Sequence, residues 1–209
     1  MAVTEAVILC GGLGTRLRSV VSDRPKCMAE VAGRPFLEWV VEYLRAQGVI
    51  RIVFCTGYMA ESIQDYFGGG LPWGVECAYS QEIETLGTGG ALRLALPQIQ
   101  SERVLVLNGD TYCQFDINRL EAEREKRDSL VTMFFYRDIS AGVYLMDREV
   151  IESIPAGRPV SMEKEIFPNI SDQSRVRVVF LEFPFLDIGT PDRYAAAEKF
   201  LCRTCTEGK

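Results

Sequence analysis

Short apolar segments that alternate with segments of helical periodicity constrain the fold of this 209-residue chain more than any other feature. The apolar segments are typical of strands buried on both faces of a parallel sheet. They occupy residues 6–10, 52–55, 75–78 and 104–107. The alternation predicts an α/β fold, a Rossmann-like three-layer sandwich with a mainly parallel central sheet. In such open sheets the ligand site lies at the carboxyl ends of the strands.

Between these segments, apolar residues recur with the spacing of an amphipathic helix. A first helix is predicted after Pro35, and others over residues 60–67, 88–95, 118–127 and 192–200. Two further strands are predicted near residues 130–135 and 141–146. Because no repeat or linker interrupts the pattern, residues 1–209 are predicted to form a single domain.

The charge and hydropathy of the chain argue against nucleic acid and membrane as binding partners. A formal net charge of -6 and a pI near 4.9 argue against a nucleic-acid-binding surface. No apolar stretch is long enough to cross a bilayer, and the first residues lack the pattern of a signal peptide, so we expect a cytoplasmic protein without a membrane partner. Whether it forms a homo-oligomer is left open by the sequence.

Histidine is absent from the sequence, which excludes Ser-His-Asp and Cys-His catalysis and every metal site that needs an imidazole ligand. The chemistry of the chain must therefore come from carboxylates, cations and backbone amides.

A glycine-rich segment follows the first predicted strand and ends in an arginine. It reads Leu9-Cys10-Gly11-Gly12-Leu13-Gly14-Thr15-Arg16-Leu17. Such a loop turns backbone amides towards an anion at close range, although a structural turn or a dinucleotide site also uses glycines. Leu17 breaks the GxGxxG pattern of dinucleotide sites, and GxxxxGK[ST] is absent. The loop thus indicates phosphate binding of another kind.

Two further motifs follow, Pro25-Lys26-Cys27-Met28 and Gly33-Arg34-Pro35. With the glycine loop they form the pattern LxGGxGxRL, PKxM and GxP, which resembles the N-terminal signature of the sugar nucleotidyltransferases. These enzymes transfer a nucleoside monophosphate from an NTP to a sugar 1-phosphate and release pyrophosphate, on a fold of the nucleotide-diphospho-sugar transferase type. The resemblance implies nucleotide contacts from Leu9, Gly11, Gly12, Gly14 and Thr15, with Arg16 and Lys26 as catalytic, nucleotide-binding cations. The alternative is that Arg16 and Lys26 are surface cations in a solvated loop.

Two aspartates follow apolar segments where a metal ligand would stand. Asp110 comes after the predicted strand 104–107, and Asp187 lies in Phe185-Leu186-Asp187-Ile188-Gly189-Thr190-Pro191. Each alone is equally compatible with a ligand and with a helix or turn cap. This FxDIGTP segment also resembles the family, in which two aspartates hold one metal ion between the phosphates. Because Mg²⁺ prefers one or two carboxylates with phosphates completing its shell, we expect Mg²⁺ on Asp110 and Asp187, with Asp110 also catalytic.

A second glycine-rich turn, Leu86-Gly87-Thr88-Gly89-Gly90-Ala91, leads into the helix predicted from residue 88. In the family this turn packs on the nucleobase, which implies nucleotide contacts from Leu86, Gly87, Thr88 and Gly89, together with Asn108. The alternative is a plain helix start with Thr88 as the cap. The resemblance further implies sugar contacts from Gly109, Gly142, Glu163 and Lys164, although exposed helix charges would explain the last two equally well.

The sequence departs from the family at two places. Cys27 stands where the signature more often has a second proline, which should loosen that turn slightly without removing Lys26. Residues 135–142 join two predicted strands directly, where the family inserts a hairpin whose Glu-Lys pair binds the sugar phosphate. Either the protein has lost this element, or a mobile substrate loop near residues 137–141 is missing from the sequence. We favour the second interpretation because loops that close over substrates are commonly disordered without them.

Over most of its length the chain resembles guanylyltransferases that act on D-glycero-α-D-manno-heptose 1-phosphate. The resemblance implies that the substrates are GTP and that sugar 1-phosphate, and that the products are the GDP-heptose and pyrophosphate. Mannose 1-phosphate or another NTP is an alternative, because base choice depends on hydrogen bonds that the sequence does not fix. A catalytically silent sensor of nucleotide sugars is another, but it would not need Arg16, Lys26, Asp110 and Asp187 together.

Overall fold

The computed structural model describes residues 3–125, 128–170, 172–182 and 185–207, and the side chains up to residue 202. The strands are β1 (Glu5–Leu9), β2 (Glu30–Val31), β3 (Arg34–Pro35), β4 (Arg51–Thr56), β5 (Glu76–Gln81), β6 (Arg103–Asn108), β7 (Thr111–Tyr112), β8 (Val131–Tyr136), β9 (Ile139–Asp147), β10 (Val176–Phe180) and β11 (Leu186–Asp187). The helices are α1 (Phe36–Ala46), α2 (Ala60–Phe67), α3 (Gly87–Ala95), α4 (Ile117–Glu125), α5 (Arg148–Glu152) and α6 (Pro191–Glu207). A π-helical turn covers Met162–Ile166, and 3-10 turns cover Lys26–Met28, Leu71–Trp73, Leu96–Gln98, Phe167–Asn169 and Gln173–Arg175.

Seven strands form the central sheet in the order β10-β8-β9-β6-β1-β4-β5. β1 pairs in parallel with β4 and β6, and β4 pairs in parallel with β5. β9 is antiparallel to both of its neighbours, β6 and β8, whereas β10 is parallel to β8. Six of these seven strands therefore run in one direction, which confirms the mainly parallel sheet.

The sheet separates two hydrophobic cores, because successive residues of a strand point to opposite faces. Ile8 and Phe54 pack on the face covered by α1, α2, α4 and α6, whereas Val7 and Val53 pack on the face covered by α3 and α5. This arrangement confirms the three-layer sandwich. Within the described residues, no helix combines the length and the apolar content needed to cross a membrane.

The predicted helix boundaries agree with the structure to within two residues, except that α6 runs to Glu207, seven residues past its predicted end. For α4, residues 126–127 lie outside the described part of the chain. The edge strand β10 was not predicted, because Arg177 interrupts its apolar run. The antiparallel ribbon of β7 and β11 was also missed. Neither of its two-residue strands carries a local periodicity, so only the folded chain reveals that they pair.

Arg137 and Asp138 form a two-residue turn between β8 and β9. The strands pair up to the turn itself, through Phe135 with Ser140 and Tyr136 with Ile139. Arg137 has a φ of 55°, the left-handed conformation that such a tight hairpin turn requires. The 209-residue sequence runs through this turn without a longer hairpin. A longer substrate loop at this turn stays a prediction, and the mass of the intact protein tests it.

At the amino edge of the sheet, opposite the predicted site, a buried ion pair joins two strands to the loop before β6. Glu5 is only 1% exposed, and its Oε1 lies 3.1 Å from Nε of Arg51. Its Oε2 accepts hydrogen bonds from the backbone N–H groups of Gln100 (3.0 Å) and Ser101 (2.7 Å). The carboxylate therefore fixes three segments at once, and removing it would leave the buried Arg51 guanidinium without this partner and two backbone donors without an acceptor.

We expect Glu5→Ala to lower the free energy of unfolding by about 3 kcal/mol, because it breaks a buried pair and strands two amides. Glu76→Ala is the matched control, since Glu76 binds the same Arg51 guanidinium but its side chain is 65% exposed. The control should cost less than about 1 kcal/mol. Urea unfolding of both variants checks this, and equal losses would contradict the role given to Glu5.

Candidate active site

A cavity of about 300 Å³ opens at the carboxyl ends of β1, β5 and β6. It is lined by Leu9, Cys10, Gly11, Gly12, Lys26, Cys27, Glu82, Thr85, Gly87, Thr88, Ala91, Asn108 and Asp110. The loops after three parallel strands meet here, which is the position expected for a ligand site in an open α/β sheet.

In the first glycine loop, two glycines pack closely against other side chains and one faces open space. A Cβ on Gly11 would lie 2.4 Å from Oε1 of Glu82, and a Cβ on Gly14 would lie 3.1 Å from Cβ of Lys26. Gly14 also has a φ of 60°, which disfavours any side chain. Gly12 has no neighbouring atom within 4 Å of its Cβ position. Two glycines thus let the loop pack on its surroundings, and Gly12 leaves the backbone open to the cavity.

Lys26 forms an ion pair with Asp110 in the cavity. Its Nζ donates to Oδ2 of Asp110, and the two side chains are only 21% and 18% exposed. The lysine stands on the 3-10 turn Lys26–Met28, in which Cys27 is buried. Cysteine in place of the signature proline therefore leaves Lys26 in the cavity, as the sequence predicted.

Asp187 is brought beside Asp110 by the β7–β11 ribbon. Thr111 pairs with Asp187, and the N–H of Ile188 donates to the backbone carbonyl of Asp110 at 3.0 Å. The Cβ position of Gly189 lies 3.0 Å from Oδ1 of Asp187, 3.3 Å from Nη2 of Arg16 and 3.8 Å from Oδ2 of Asp110. Both predicted carboxylates and one predicted cation therefore converge around Gly189.

Arg193, which the sequence analysis did not select, belongs to this cluster. It stands in the first turn of α6, and its Nη1 donates to Oδ2 of Asp187. Its side chain is 58% exposed, so it lies at the mouth of the cluster. The sequence does not indicate that Arg193 contacts Asp187, six residues before it. The two side chains meet only because the chain turns at the start of α6.

The two carboxylates suit a hard cation that takes most of its ligands from elsewhere. Among the described residues, no group of three or more His, Cys, Asp and Glu side chains is arranged to hold a metal ion. Mg²⁺ is commonly bound by one or two carboxylates with phosphate oxygens completing its shell. Asp110 and Asp187 fit this requirement if a phosphate ligand binds with the ion.

The second glycine-rich turn is fixed by its packing on the segment around Val160. A Cβ on Gly87, whose φ is 69°, would lie 2.6 Å from the carbonyl oxygen of Val160. The N–H of Gly89 donates to the same carbonyl at 2.8 Å, and the N–H of Val160 donates to Leu86 at 2.8 Å. These glycines therefore serve a backbone-to-backbone contact. Gly87 and Thr88 line the cavity, whereas Leu86 and Gly89 lie behind them.

Glu82 is a cavity carboxylate that the sequence analysis missed. Its Oε2 accepts a hydrogen bond from the N–H of Leu86 at 2.9 Å, and its Oε1 lies beside Gly11. Burial raises the pKa of Glu82, although the hydrogen bond from Leu86 opposes this. The sequence could have indicated Glu82, because it comes just after a predicted strand. Asp110 was selected for the same reason.

The residues predicted to contact a sugar are divided between the surroundings of Asn108 and the π-helical turn Met162–Ile166. A Cβ on Gly142, with a φ of 65°, would lie 2.3 Å from Nδ2 of Asn108, and a Cβ on Gly109 would lie 2.6 Å from Sγ of Cys10. Glu163 reaches the second glycine-rich turn, where its Oε2 accepts a hydrogen bond from Oγ1 of Thr88 at 3.2 Å. The side chain of Lys164 is exposed. Thr88 does not cap α3, because the cap position is Leu86.

Known proteins resemble the chain in sequence and in fold. The family model "Nucleotidyl transferase" matches residues 5–139. A D-glycero-alpha-D-manno-heptose 1-phosphate guanylyltransferase of Aneurinibacillus thermoaerophilus is 35% identical over 226 residues, covering 94% of this chain and 98% of the relative. A mannose-1-phosphate guanylyltransferase of Mycobacterium tuberculosis is 28% identical, over 95% of this chain and 65% of the relative. The crystal structure of HddC from Yersinia pseudotuberculosis complexed with GMP-PN superposes with a TM-score of 0.82 at 30% identity, over 96% of this chain and all of that one.

The fold is therefore that of the nucleotide-diphospho-sugar transferases. The alignment with the Aneurinibacillus relative is longer than this 209-residue chain, so the relative carries residues that this sequence lacks.

We expect Gly189→Ala to weaken Mg²⁺-dependent binding of GTP about tenfold, because the added methyl group would push Asp187 and Arg16 apart. The φ of Gly189 is not in the left-handed region, so the fold should tolerate alanine. Gly69→Ala is the control, since Gly69 does not line the cavity, nothing lies within 4 Å of the added methyl, and its φ is not in the left-handed region either. Calorimetric titration with GTP and Mg²⁺ measures both variants, and a larger loss in the control would contradict this account of the cluster.

Proposed function

This chain belongs to the nucleotidyl transferase family, and from that premise we propose that it is a guanylyltransferase that forms GDP-D-glycero-α-D-manno-heptose. The substrates are GTP and D-glycero-α-D-manno-heptose 1-phosphate, and pyrophosphate is the second product. That the chain is a sugar-1-phosphate nucleotidyltransferase follows from its relatives. The identity of the base, the sugar and the metal ion is the proposal.

The convergence of four charged groups at one end of the glycine loop carries this proposal. Lys26 pairs with Asp110, and Asp110, Asp187 and Arg16 surround Gly189. A protein that only senses nucleotide sugars has no need to hold two carboxylates and two cations around one point. A phosphoryl-transfer enzyme needs both, because negative charge builds on the transferred and the departing phosphates.

The reaction requires little proton transfer from the protein. An oxygen of the sugar phosphate forms a bond to the α-phosphorus of GTP, and the bond from that phosphorus to the bridging oxygen of pyrophosphate breaks. The attacking phosphate is already largely ionised near neutral pH, since its second pKa is about 6. The absence of histidine from the chain is consistent with a reaction that needs no general base.

The work of the protein is therefore to position the phosphates and to oppose their charge. The open backbone at Gly12 admits the triphosphate, and the Lys26 ammonium and the Arg16 guanidinium lie where its charge would accumulate. Asp110 and Asp187 would hold Mg²⁺, which when bound supplies further positive charge to the phosphates. Arg193, whose side chain is largely exposed, adds a third cation beside Asp187.

Glu82 supports guanine as the base. Guanine presents two donors on one edge, N1–H and the N2 amino group, and a carboxylate accepts both. Adenine presents an acceptor at N1 and would leave the carboxylate unpaired, which is the kind of mismatch that gives strong discrimination. Oε2 of Glu82 accepts one hydrogen bond from Leu86, so its second acceptor position and Oε1 remain for the two donors of the base. The GMP-PN complex of HddC from Yersinia pseudotuberculosis agrees with a guanine nucleotide.

For the sugar, the more similar relative acts on a heptose 1-phosphate and the less similar one on mannose 1-phosphate. Mannose 1-phosphate is therefore the second candidate. The two substrates share a manno-configured ring, so the discrimination lies in the seventh carbon of the heptose.

Incubation with Mg²⁺, each of the four NTPs and a panel of sugar 1-phosphates, while pyrophosphate is followed, tests the function. We expect the highest kcat/KM with GTP and the heptose 1-phosphate. Asp110→Asn should lower kcat about a thousandfold, because a preorganised charge at the reacting phosphates is lost. Asp116→Asn is the control, since Asp116 is exposed, does not line the cavity, and uses its carboxylate to accept a hydrogen bond from the N–H of Asn118. No pyrophosphate from any pair of substrates would refute the proposal.

Base selection is tested with Glu82→Gln, which keeps an acceptor for Leu86 but cannot accept two hydrogen bonds from guanine. The ratio of kcat/KM for GTP to that for ATP should fall about a hundredfold. Glu84→Gln, a change to an exposed carboxylate two residues further along the same loop, should leave the ratio near the wild-type value. The assignment fails if both variants keep the wild-type preference.

A further inference from the structure

The hydroxyl of Thr88 joins two segments that are far apart in the chain. Oγ1 of Thr88 accepts a hydrogen bond from the N–H of Met162 at 2.9 Å and donates one to Oε2 of Glu163 at 3.2 Å. Thr88 itself lines the nucleotide cavity, in the first turn of α3. One side chain of this cavity is thus tied to the π-helical turn that carries Glu163.

The Glu163 carboxylate is held by three hydroxyl groups. Its Oε1 accepts a hydrogen bond from the hydroxyl of Tyr144 at 3.0 Å, and its Oε2 accepts from Ser161 at 3.0 Å as well as from Thr88. Among the described contacts the carboxylate forms no ion pair. A carboxylate has about four acceptor positions, so Oε1 keeps one for a ligand hydroxyl.

Glu163 also stands at the boundary between two cavities. Glu163 and Tyr144 line a second cavity of about 340 Å³ that includes Ser140 and Phe135, whereas Thr88 lines the nucleotide cavity. The Thr88–Glu163 hydrogen bond therefore crosses from one cavity to the other. Any ligand that moves the second glycine-rich turn will also move one of the three donors that orient this carboxylate.

We propose that Thr88 is a positioning residue that couples the two substrates: its hydroxyl fixes the Glu163 carboxylate against the nucleotide turn, so that the sugar 1-phosphate binds most tightly when the nucleotide is bound. This inference rests on the proposed function, because it assigns Glu163 to a hydroxyl of the sugar. Nucleotide in the cavity restrains the turn, the turn restrains Thr88, and Thr88 restrains Glu163. Because such coupling is reciprocal, the sugar phosphate also favours nucleotide binding.

Tyr144 is the second anchor of the same carboxylate. It is buried, and burial together with the neighbouring Glu163 charge raises the pKa of its hydroxyl, so the hydroxyl stays protonated and continues to donate. The hydroxyl of Tyr144 donates to Oε1, whereas that of Thr88 donates to Oε2. Tyr144 can therefore be changed without touching Thr88.

Thr88→Val and Thr88→Ser form the matched pair that tests the proposal. Valine keeps the shape of threonine and removes the hydroxyl, and serine keeps the hydroxyl. We expect Thr88→Val to raise KM for the heptose 1-phosphate, measured at saturating GTP, about tenfold. The Kd of a GTP analogue, measured without the sugar phosphate, should change less than about twofold, because the coupling acts only when both substrates are bound. Thr88→Ser should bring the sugar KM back towards the wild-type value. An equal loss of affinity for the GTP analogue alone, or no recovery with serine, would show a general structural role and overturn the proposal.

A double-mutant cycle shows whether Thr88 acts through Glu163. Glu163→Gln should raise the sugar KM, and adding Thr88→Val to it should cause little further change. Tyr144→Phe, which alters only the other oxygen, should raise the sugar KM and leave that for GTP in place. Fully additive effects of Thr88→Val and Glu163→Gln would contradict the proposed route.

Calorimetry tests the coupling directly. The Kd of the heptose 1-phosphate should fall several-fold when a non-hydrolysable GTP analogue is present, and this difference should vanish in Thr88→Val. Equal Kd values with and without the analogue in the wild type would overturn the coupling. The outcomes separate from those of the proposed function, because wild-type enzyme that releases no pyrophosphate refutes the function. Active enzyme with an unchanged Thr88→Val variant refutes this inference alone.

Discussion

The pairing of β7 with β11 is the contact on which the candidate active site depends. Two residues on each side, far apart in the chain, are enough to place Asp187 next to Asp110 and to direct Gly189 between the two carboxylates and Arg16. The ribbon is short, but it extends from the carboxyl end of a central strand that is buried on both faces. The sheet therefore sets the position of Asp110, and the ribbon holds Asp187 beside it.

The sheet separates stability from chemistry by placing them at opposite edges. At the amino edge, the Glu5 carboxylate is buried and every one of its partners belongs to the protein. At the carboxyl edge, Lys26, Arg16 and the two aspartates remain partly open and offer charge to a ligand. Holding several charged groups close together costs folding free energy until a charged ligand binds between them. Functional sites commonly carry such a cost.

Much of the fold could be predicted from the sequence, because buried strands and amphipathic helices have periods that are local properties of the chain. The first glycine loop and Asp110 could also be placed, since each follows a predicted strand. Lys26 was selected through the PKxM motif and the family resemblance. Asp187 could be selected from its apolar neighbours and the resemblance, but its place beside Asp110 could not be predicted, because nothing local to it indicates the ribbon. Arg193 depends on the fold of the chain at the start of α6, and so it could not be predicted.

The second glycine-rich turn shows a further limit of sequence reasoning. Its glycines were interpreted through the nucleotide, but the structure places Gly87 and Gly89 against Val160. Close packing on another backbone segment and close approach to a ligand both require glycine. The sequence alone therefore does not distinguish between them. The network from Thr88 to Glu163 follows from that packing, since it is the packing that brings the nucleotide turn and the sugar side together.

The central claim is that Asp110 and Asp187 jointly hold one divalent ion at the phosphates of a bound nucleotide. Crystals soaked with Mn²⁺ and a non-hydrolysable GTP analogue test this most directly, because the anomalous signal of manganese locates the ion independently of the protein atoms. The account predicts a single strong peak with an oxygen of each aspartate and at least one phosphate oxygen at about 2.2 Å. A peak bound by neither aspartate, or nucleotide bound in the cavity with both carboxylates still paired to Lys26 and Arg193, would contradict it.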